Sequence, residues 1–203
     1  IKFDDVTYFE NPKFSTTNMV ETLFCAKDKL EDSVIVSYGD IIYQKDVLQK
    51  LIDSKDDISV VIDKKWKKYW EIRTTQPLND VESLVLENGF IQNIGQKVSS
   101  LDEIEGQYIG LMKFQNEGLE FLKTFYHSAK NESHLGNIMN PDIPFEKSYM
   151  TDLLQGLINS GCKLKAVLIE NGWLELDNYH DYEVYNKKFK DKTIFEFFSL
   201  NQL

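Results

Sequence analysis

A short apolar run that ends in a glycine and an aspartate constrains this chain more than any other feature. Residues 34–36 read Val-Ile-Val, which is typical of a buried strand, and the next four residues are Ser-Tyr-Gly-Asp. The strand therefore ends close to Asp40 and places a carboxylate at its carboxyl end. Because ligands and their metal ions bind at this end of the strands in open α/β sheets, we expect a ligand site there.

Predicted helices and strands alternate around this run. Residues 18–30 carry apolar side chains on one helical face, with Asn18 or the preceding threonine as N-cap. This helix leads into a strand at 34–37. Asp46 is predicted to cap a second helix, which leads to the apolar strand 58–62. Two strand–helix–strand steps of this length imply parallel strands joined by right-handed crossovers.

The second half of the chain adds an antiparallel part. The Asn88-Gly89 pair between the apolar runs 81–86 and 90–94 predicts a hairpin. The other predicted elements are a strand at 106–114, helices at 118–129 and 149–160, a strand at 163–169, and a final helix at 177–189 that begins near Asp177 or Asn178. This order predicts a three-layer α/β sandwich, with residues 1–203 as a single domain.

The composition argues against several classes of function. The 203 residues carry a formal net charge of -10. Nonspecific binding to nucleic acid or to anionic membranes depends on clusters of Lys and Arg, so we expect neither. Cys25 and Cys162 lack the spacing of a metal site and are predicted to be buried thiols. No apolar stretch is long enough to span a membrane and the first residues lack a signal-peptide pattern, which favours a cytoplasmic location.

Several segments, taken together, carry a family resemblance. They are Asn11-Pro12-Lys13-Phe14, Thr16-Thr17-Asn18-Met19, Ser37 to Asp40, Ile94-Gly95-Gln96-Lys97, Glu105 to Gly110, and Trp173-Leu174-Glu175-Leu176-Asp177. In this order the chain resembles the nucleotidyltransferase superfamily, and within it the bacterial cytidylyltransferases that act on phosphocholine, 2-aminoethylphosphonate or phosphoglutamine. The resemblance implies a three-layer Rossmann-like nucleotidyltransferase sandwich with a mixed, mostly parallel sheet.

One feature of that superfamily has no counterpart in the sequence. Its members open with a strand and a Gly-rich loop that binds phosphate, whereas this chain opens at Ile1 and contains neither. We therefore expect that the N-terminal strand is missing and that the chain is a fragment. On this expectation residues 1–203 alone bind CTP poorly, because the backbone N–H groups of such a loop supply most of the triphosphate contacts.

Asp40 and Asp177 are the candidate metal ligands. The resemblance implies that both bind the catalytic Mg2+, an ion that commonly uses one or two carboxylates together with substrate phosphates. The alternative is that Asp40 is a turn residue and that Asp177 is the N-cap of the last helix.

Lys97 is the candidate catalytic residue. In the sugar-nucleotide branch of the superfamily a Glu-Lys-Pro segment contacts the acceptor phosphate, but here the flanking residues are Gln96 and Val98. A lysine beside two converging anions would offset their repulsion and stabilise charge on the phosphoryl group. A solvated lysine is the alternative.

Two further residues are predicted to contact substrates. Asn18 begins a helix and can hydrogen-bond a ligand there, although a simple N-cap explains it equally. Tyr108 would lie over the acceptor if the Gly106-Gln107-Tyr108 strand aligns with that of the family, with packing across the sheet as the alternative.

A pocket for an ammonium group is a further hypothesis. Aromatic faces and carboxylates both hold such groups, and the chain offers candidates of both kinds. They are Trp70, Tyr149, Asp152, Trp173 and Glu175. The alternative is that the aromatic residues belong to the core.

The function that follows from the resemblance is a Mg2+-dependent transfer of a nucleotidyl group. CTP would donate the group to a small phosphorylated or phosphonate acceptor and release pyrophosphate, and a homodimer is compatible with this function. One alternative acceptor is a sugar 1-phosphate. Another alternative is a noncatalytic nucleotide-binding module without the phosphate loop. A metal-dependent glycosyltransferase is disfavoured, since the Asp-x-Asp element of that class is absent at Asp40.

Overall fold

The computed structural model describes residues 5–74 and 76–199. Its strands are β1 (Ser33–Ser37), β2 (Ile41–Tyr43), β3 (Ile58–Asp63), β4 (Leu84–Glu87), β5 (Phe90–Ile94), β6 (Gln107–Gln115), β7 (Leu164–Ile169) and β8 (Trp173–Glu175). Its α-helices are α1 (Met19–Phe24), α2 (Lys45–Asp53), α3 (Trp66–Arg73), α4 (Asn116–Asn131), α5 (Met150–Asn159) and α6 (Tyr179–Lys190).

Six strands form the central sheet in the order β1-β6-β3-β7-β5-β4, and β2 and β8 form a separate two-stranded ladder. The pairings make β1, β3, β4 and β7 run in one direction and β5 and β6 in the other. The predicted mixed sheet, with most strands running the same way, is confirmed. Within the described residues, however, β3 and β7 are the one pair of neighbours that is hydrogen-bonded in parallel.

Helices cover both faces of the sheet. All six residues of β3 are buried, which requires packing layers above and below the strand. On β6, the Lys113 side chain donates to the carbonyl oxygen of Ile52 at the end of α2, at 3.1 Å. Helix α4 follows β6 directly and contacts both β6 and β1. The predicted three-layer arrangement is therefore confirmed.

The hairpin and the final helix match their predictions closely. Asn88 and Gly89 have φ angles of 53° and 80°, the left-handed values that a two-residue turn between β4 and β5 requires. Asn178 caps α6, because its side chain accepts a hydrogen bond from the backbone N–H of Asp181 at 3.1 Å. Asp177 lies just before the cap, so the alternative reading of Asp177 as N-cap is wrong.

The strands β1 and β3 run in the same direction, as predicted, and β6 lies between them in the sheet. Other expectations need correction. Gln44, and not Asp46, occupies the N-cap position of α2, and its side chain makes no capping bond. The helix predicted at 18–30 ends at Phe24.

Strand β1 lies at one end of the sheet. No strand pairs with its outer edge in the part of the chain that the structure describes, and Ile35 is exposed there. Among the described residues, no helix has the length and apolar character needed to cross a membrane.

Candidate active site

The short ladder of β2 and β8 brings the two predicted metal ligands together. Ile41 lies opposite Glu175, and the backbone N–H of Leu176 donates to the carbonyl oxygen of Asp40 at 2.8 Å. Asp40 and Asp177 therefore flank the same end of the ladder, although they are far apart in the sequence. The Asp40 carboxylate is exposed, and no described side chain hydrogen-bonds or ion-pairs with it.

Arg73, at the end of α3, is the basic residue at the centre of this region. Its Nη1 contacts Oε2 of Glu175 at 2.5 Å, its Nη2 contacts Oδ2 of Asp177 at 2.8 Å, and its Nε contacts Oδ1 of Asp181 at 3.1 Å. We call these four residues the Arg73 cluster. The Arg73 side chain is 5% exposed and that of Asp177 is 43% exposed, so the cluster extends from the interior to the surface.

Aromatic side chains pack against the Arg73 cluster. The guanidinium carbon of Arg73 lies 5.5 Å from the ring centre of Tyr69 and 5.4 Å from that of Trp70. The Tyr69 hydroxyl accepts a hydrogen bond from the backbone N–H of Glu175 at 2.7 Å, and the Tyr185 hydroxyl donates to the carbonyl oxygen of Glu175 at 2.7 Å. The two hydroxyls lie 2.6 Å apart. These contacts fix the backbone of β8 relative to α3 and α6.

One positive charge faces three carboxylates in the Arg73 cluster, and this shapes the pKa values. Burial opposes the charge on Arg73, but its hydrogen bonds with Asp181 and its pairing with Glu175 raise the pKa of Arg73 overall. The pKa of Glu175 is raised to about 7: burial is the largest cause, Arg73 opposes it, and the charges of Asp177 and Asp40 add to it. The excess of negative charge favours a bound cation.

A second acidic group lies nearby. Glu82 keeps contact with solvent, but desolvation by the surrounding protein, followed by the charges of Asp152 and Asp80, raises its pKa to about 7. We call Asp80, Glu82 and Asp152 the Glu82 cluster. Burial raises the pKa of Tyr38, and the charges of Glu82, Asp40 and Glu175 also raise it. The Tyr38 side chain therefore lies near both acidic groups.

Tyr108 lies against Tyr38, with ring centres 5.7 Å apart and the rings nearly perpendicular. Gly110 makes this packing possible, because a Cβ atom there would lie 2.5 Å from Cγ of Tyr38 and its φ is 80°. Gly106, which we expected to permit close approach of a ligand, instead packs against Ile62, whose Cγ2 would lie 2.5 Å from an added Cβ. Tyr108 thus packs across the sheet; its contact with an acceptor stays a prediction.

Neither Lys97 nor Asn18 forms an ion pair or a side-chain hydrogen bond with the carboxylates of the two clusters in the described residues. Lys97 is exposed beyond the end of β5, and no described residue forms an ion pair with it. The Asn18 side chain accepts from the backbone N–H of Met19 at 2.8 Å and donates to the carbonyl oxygen of Lys147 at 3.3 Å. The N-cap reading of Asn18 is confirmed, whereas the substrate roles of both residues stay predictions.

The residues predicted for an ammonium pocket are dispersed: Glu175 pairs with Arg73, and the other four fall into two groups. Trp70 and Trp173 are 4% and 2% exposed, and their indole N–H groups donate to Asp80 and Asp63 at 3.0 and 2.9 Å. Both rings therefore belong to the core. At the start of α5, Asp152 accepts from the backbone N–H of Tyr149 at 2.7 Å in a capping box, and the Tyr149 side chain is exposed.

The arrangement fits a hard divalent cation. Asp40 offers a free carboxylate, and Oδ1 of Asp177 makes no bond within the part of the chain described here. No group of three or more Cys, His, Asp or Glu residues there is arranged to hold a metal ion by itself. Two carboxylates suffice for Mg2+ when substrate phosphates complete its coordination, so the donor set suits an ion that binds together with a nucleotide.

Arg73 and Asp181 belong to the Arg73 cluster but were not predicted from the sequence. One signal was available: the chain has 23 Lys and Arg residues, and Arg73 is its single arginine. Arginine presents several donors in a rigid fork and binds carboxylates better than lysine does, so a lone arginine in an aromatic segment indicates an internal ion pair.

Comparison with known proteins gives one curated relative. No family model matches the sequence. The chain is 41% identical over 193 residues to a protein of Campylobacter jejuni named CTP:phosphoglutamine cytidylyltransferase, and the match covers 92% of this chain and 74% of that protein.

Solved structures show the same fold. An inositol-1-phosphate CTP transferase of T. maritima superposes with a TM-score of 0.60 at 18% identity, over 87% of this chain and 64% of that one. The CTP:phosphocholine cytidylyltransferase of Streptococcus pneumoniae gives a TM-score of 0.58 at 16% identity, over 88% and 67%. Together with the curated relative, these similarities confirm the resemblance read from the sequence: the chain belongs to the nucleotidyltransferase family of enzymes that includes CTP:phosphoglutamine cytidylyltransferase.

Proposed function

We propose that this protein transfers the cytidylyl group of CTP to a small phosphorylated or phosphonate acceptor and releases pyrophosphate. The observation that carries the proposal is the 41% identity to the Campylobacter jejuni enzyme, which extends through the segments of Asp40 and Asp177. Phosphoglutamine is the first acceptor to test, because the relative is named for it. We place the reaction in the cytoplasm, where CTP is available.

Asp40 and Asp177 would hold a divalent metal, for which we propose Mg2+. Their positions at one end of the β2–β8 ladder and the negative charge around them support this assignment. When bound, Mg2+ would neutralise the triphosphate and so favour departure of pyrophosphate. An acceptor phosphate oxygen would attack the α-phosphorus in line, and Lys97 would hold the acceptor anion.

The ammonium end of an amine acceptor would lie near the Glu82 cluster. No basic side chain pairs with Asp80, Glu82 or Asp152 in the described residues, and the charge of Glu82 adds to burial in raising the pKa values of Tyr38 and Tyr108. Carboxylates and aromatic rings together suit an organic cation. Of the residues predicted earlier for this pocket, Tyr149 and Asp152 remain in the proposal, whereas Glu175 pairs with Arg73 and the tryptophans are buried in the core.

A pyrophosphate-release assay tests the proposal. Protein expressed from its full reading frame is incubated with Mg2+, with CTP, ATP, GTP or UTP, and with phosphoglutamine, phosphocholine, 2-aminoethylphosphonate or glucose 1-phosphate. We expect release with CTP and an amine acceptor, and the loss of that release in Asp40→Asn. Release with glucose 1-phosphate alone would favour a sugar-nucleotide enzyme. Absence of release with every combination would overturn the proposal.

A further inference from the structure

Four of the five N–H donors of Arg73 bond to carboxylate oxygens of the protein itself. Its Nε, Nη1 and Nη2 atoms all bond to carboxylate oxygens, at 2.5 to 3.2 Å, and its side chain is 5% exposed. An arginine that bound a substrate phosphate would need at least one free face. Arg73 therefore acts on the side chains around it, Glu175 and Asp177 among them.

Asp181 connects Arg73 to the segment that carries Asp177. It is 1% exposed and accepts hydrogen bonds from Nε and Nη2 of Arg73 at 3.1 and 3.2 Å. Its Oδ2 also accepts from the backbone N–H groups of Asp177 at 3.1 Å and Asn178 at 3.3 Å. One buried carboxylate thus fixes both the guanidinium and the backbone of the Asp177 segment.

The balance of charge gives Asp181 a second effect. With Asp181 ionised, the single charge of Arg73 is compensated in the interior, and the pairs with Glu175 and Asp177 leave the outer side negative. With a neutral residue at 181, Glu175 and Asp177 would be the remaining acidic contacts of the guanidinium within the described structure. Arg73 would then compete more strongly with a metal ion for Asp177, because an uncompensated buried charge is costly.

We propose that Arg73 and Asp181 are positioning residues of the metal site: Arg73 holds Glu175 and Asp177 beside Asp40, and Asp181 neutralises the guanidinium so that Asp177 stays available to a divalent cation. This inference rests on the proposed metal-dependent function. It concerns residues that touch neither the nucleotide nor the acceptor in that scheme.

Binding of Mn2+ to the whole protein in the presence of CTP, corrected for the Mn2+ that CTP binds in the absence of protein, tests the inference, because the substrate phosphates complete the coordination of the metal. Free Mn2+ is measured by electron paramagnetic resonance, for the wild type, Asp181→Asn and Asn178→Ala. We expect Asp181→Asn to weaken Mn2+ binding by about 10- to 100-fold, the usual effect of losing a residue that orients a metal ligand. Asn178→Ala is the matched control, because it weakens the cap of α6 but keeps the Arg73–Asp181 pair. Its Mn2+ affinity should stay within about twofold of the wild type, since no contact of Arg73 changes.

Arg73→Lys provides a second variant in case Asp181→Asn fails to fold. Lysine keeps the charge but cannot bridge three carboxylates, so we expect weaker Mn2+ binding here too. Wild-type Mn2+ affinity in both variants, or no Mn2+ binding by the wild type, would overturn the inference. Weakened Mn2+ binding in the variants of a wild-type protein that transfers no nucleotide would sustain the inference while the proposed function fails.

Discussion

The Arg73 cluster and the Glu82 cluster are both acidic, but they differ in how their charge is balanced. Three carboxylates in the first surround a buried guanidinium. The three in the second have no basic partner in the described residues, and the pKa of Glu82, although its side chain meets solvent, is raised to about 7 by desolvation and by its acidic neighbours. Tyr38 adjoins both groups.

This difference separates two uses of acidic residues in one enzyme. In the Arg73 cluster, the guanidinium forms ion pairs with the carboxylates and so fixes their positions. Carboxylates without such a cation remain free to bind one from outside. This contrast supports the proposal that the Arg73 cluster supports a metal site and that the Glu82 cluster binds the acceptor.

Removing the positive charge of Arg73 should have the largest effect on stability. Arg73→Met leaves Asp181 buried without its partner, so we expect the free energy of unfolding to fall by about 3–5 kcal/mol, measured with urea. The control is Lys67→Ala, which breaks an ion pair with Asp102 whose side chains are 48% and 93% exposed. That change should cost less than about 1 kcal/mol. Similar losses in both variants would mean that the Arg73 cluster contributes no more than a surface pair.

Neutralising the carboxylate of Asp40 should lower turnover without changing the stability of the fold. Asp40→Asn keeps the shape of an exposed side chain but removes a charge, so we expect cytidylyl transfer to fall by about 100-fold or more at an unchanged unfolding midpoint. Asp28→Asn, at an exposed position away from the ladder, should retain wild-type activity. Near-normal turnover of Asp40→Asn at saturating Mg2+ would show that Asp40 is a turn residue.

Lys97 allows a smaller test on the acceptor side. If it contacts the acceptor phosphate, Lys97→Ala should raise the KM for the acceptor by about tenfold, the loss of one charge-assisted hydrogen bond, and leave the KM for CTP unchanged. Steady-state kinetics with each substrate varied in turn measures both constants. An equal rise in both would assign Lys97 to the nucleotide.

The Glu82 cluster should give the smallest effect, a dependence of stability on pH. The pKa of Glu82 rises from 4.5 to about 7 on folding, so the folded state binds more protons between these values. Ionised Glu82 therefore destabilises the folded state, so its contribution to the free energy of unfolding is fully present below pH 4.5 and is lost as the pH rises through 7. Glu82→Gln should raise the free energy of unfolding relative to wild type more at pH 8 than at pH 4.5. A difference independent of pH would contradict the shifted pKa.

The sequence predicted many of the strands, helices and turns, but it did not predict the ion pairs of Arg73. The Asn88-Gly89 turn and the Asn178 cap depend on local chemistry, so both could be read directly. The resemblance also paired Asp40 with Asp177, and the structure brings them to one end of a ladder.

Helix α3 and the β2–β8 ladder were missed for physical reasons. The buried residues of α3 have regular helical spacing, but one of them is the charged Arg73, which interrupts the apolar pattern. Each strand of the ladder has three residues, too few for an alternating pattern to be recognised. The contacts between Arg73 and its three acids join distant segments, and spacing along the chain carries no information about them.

The ladder of β2 and β8 has a consequence for the order of folding. All six strands of the central sheet precede residue 170, whereas Glu175, Asp177 and Asp181 follow it. A nascent chain that has just emerged as far as Ile169 can complete its sheet, but Arg73 then lacks every acidic partner described above. Because contacts between distant segments form slowly, docking of β8 and α6 would be a late step of folding. The edge that carries Asp40 and Asp177 would then be assembled on a sheet that already exists, and the segment after β7 would bring Arg73 its counter-charges.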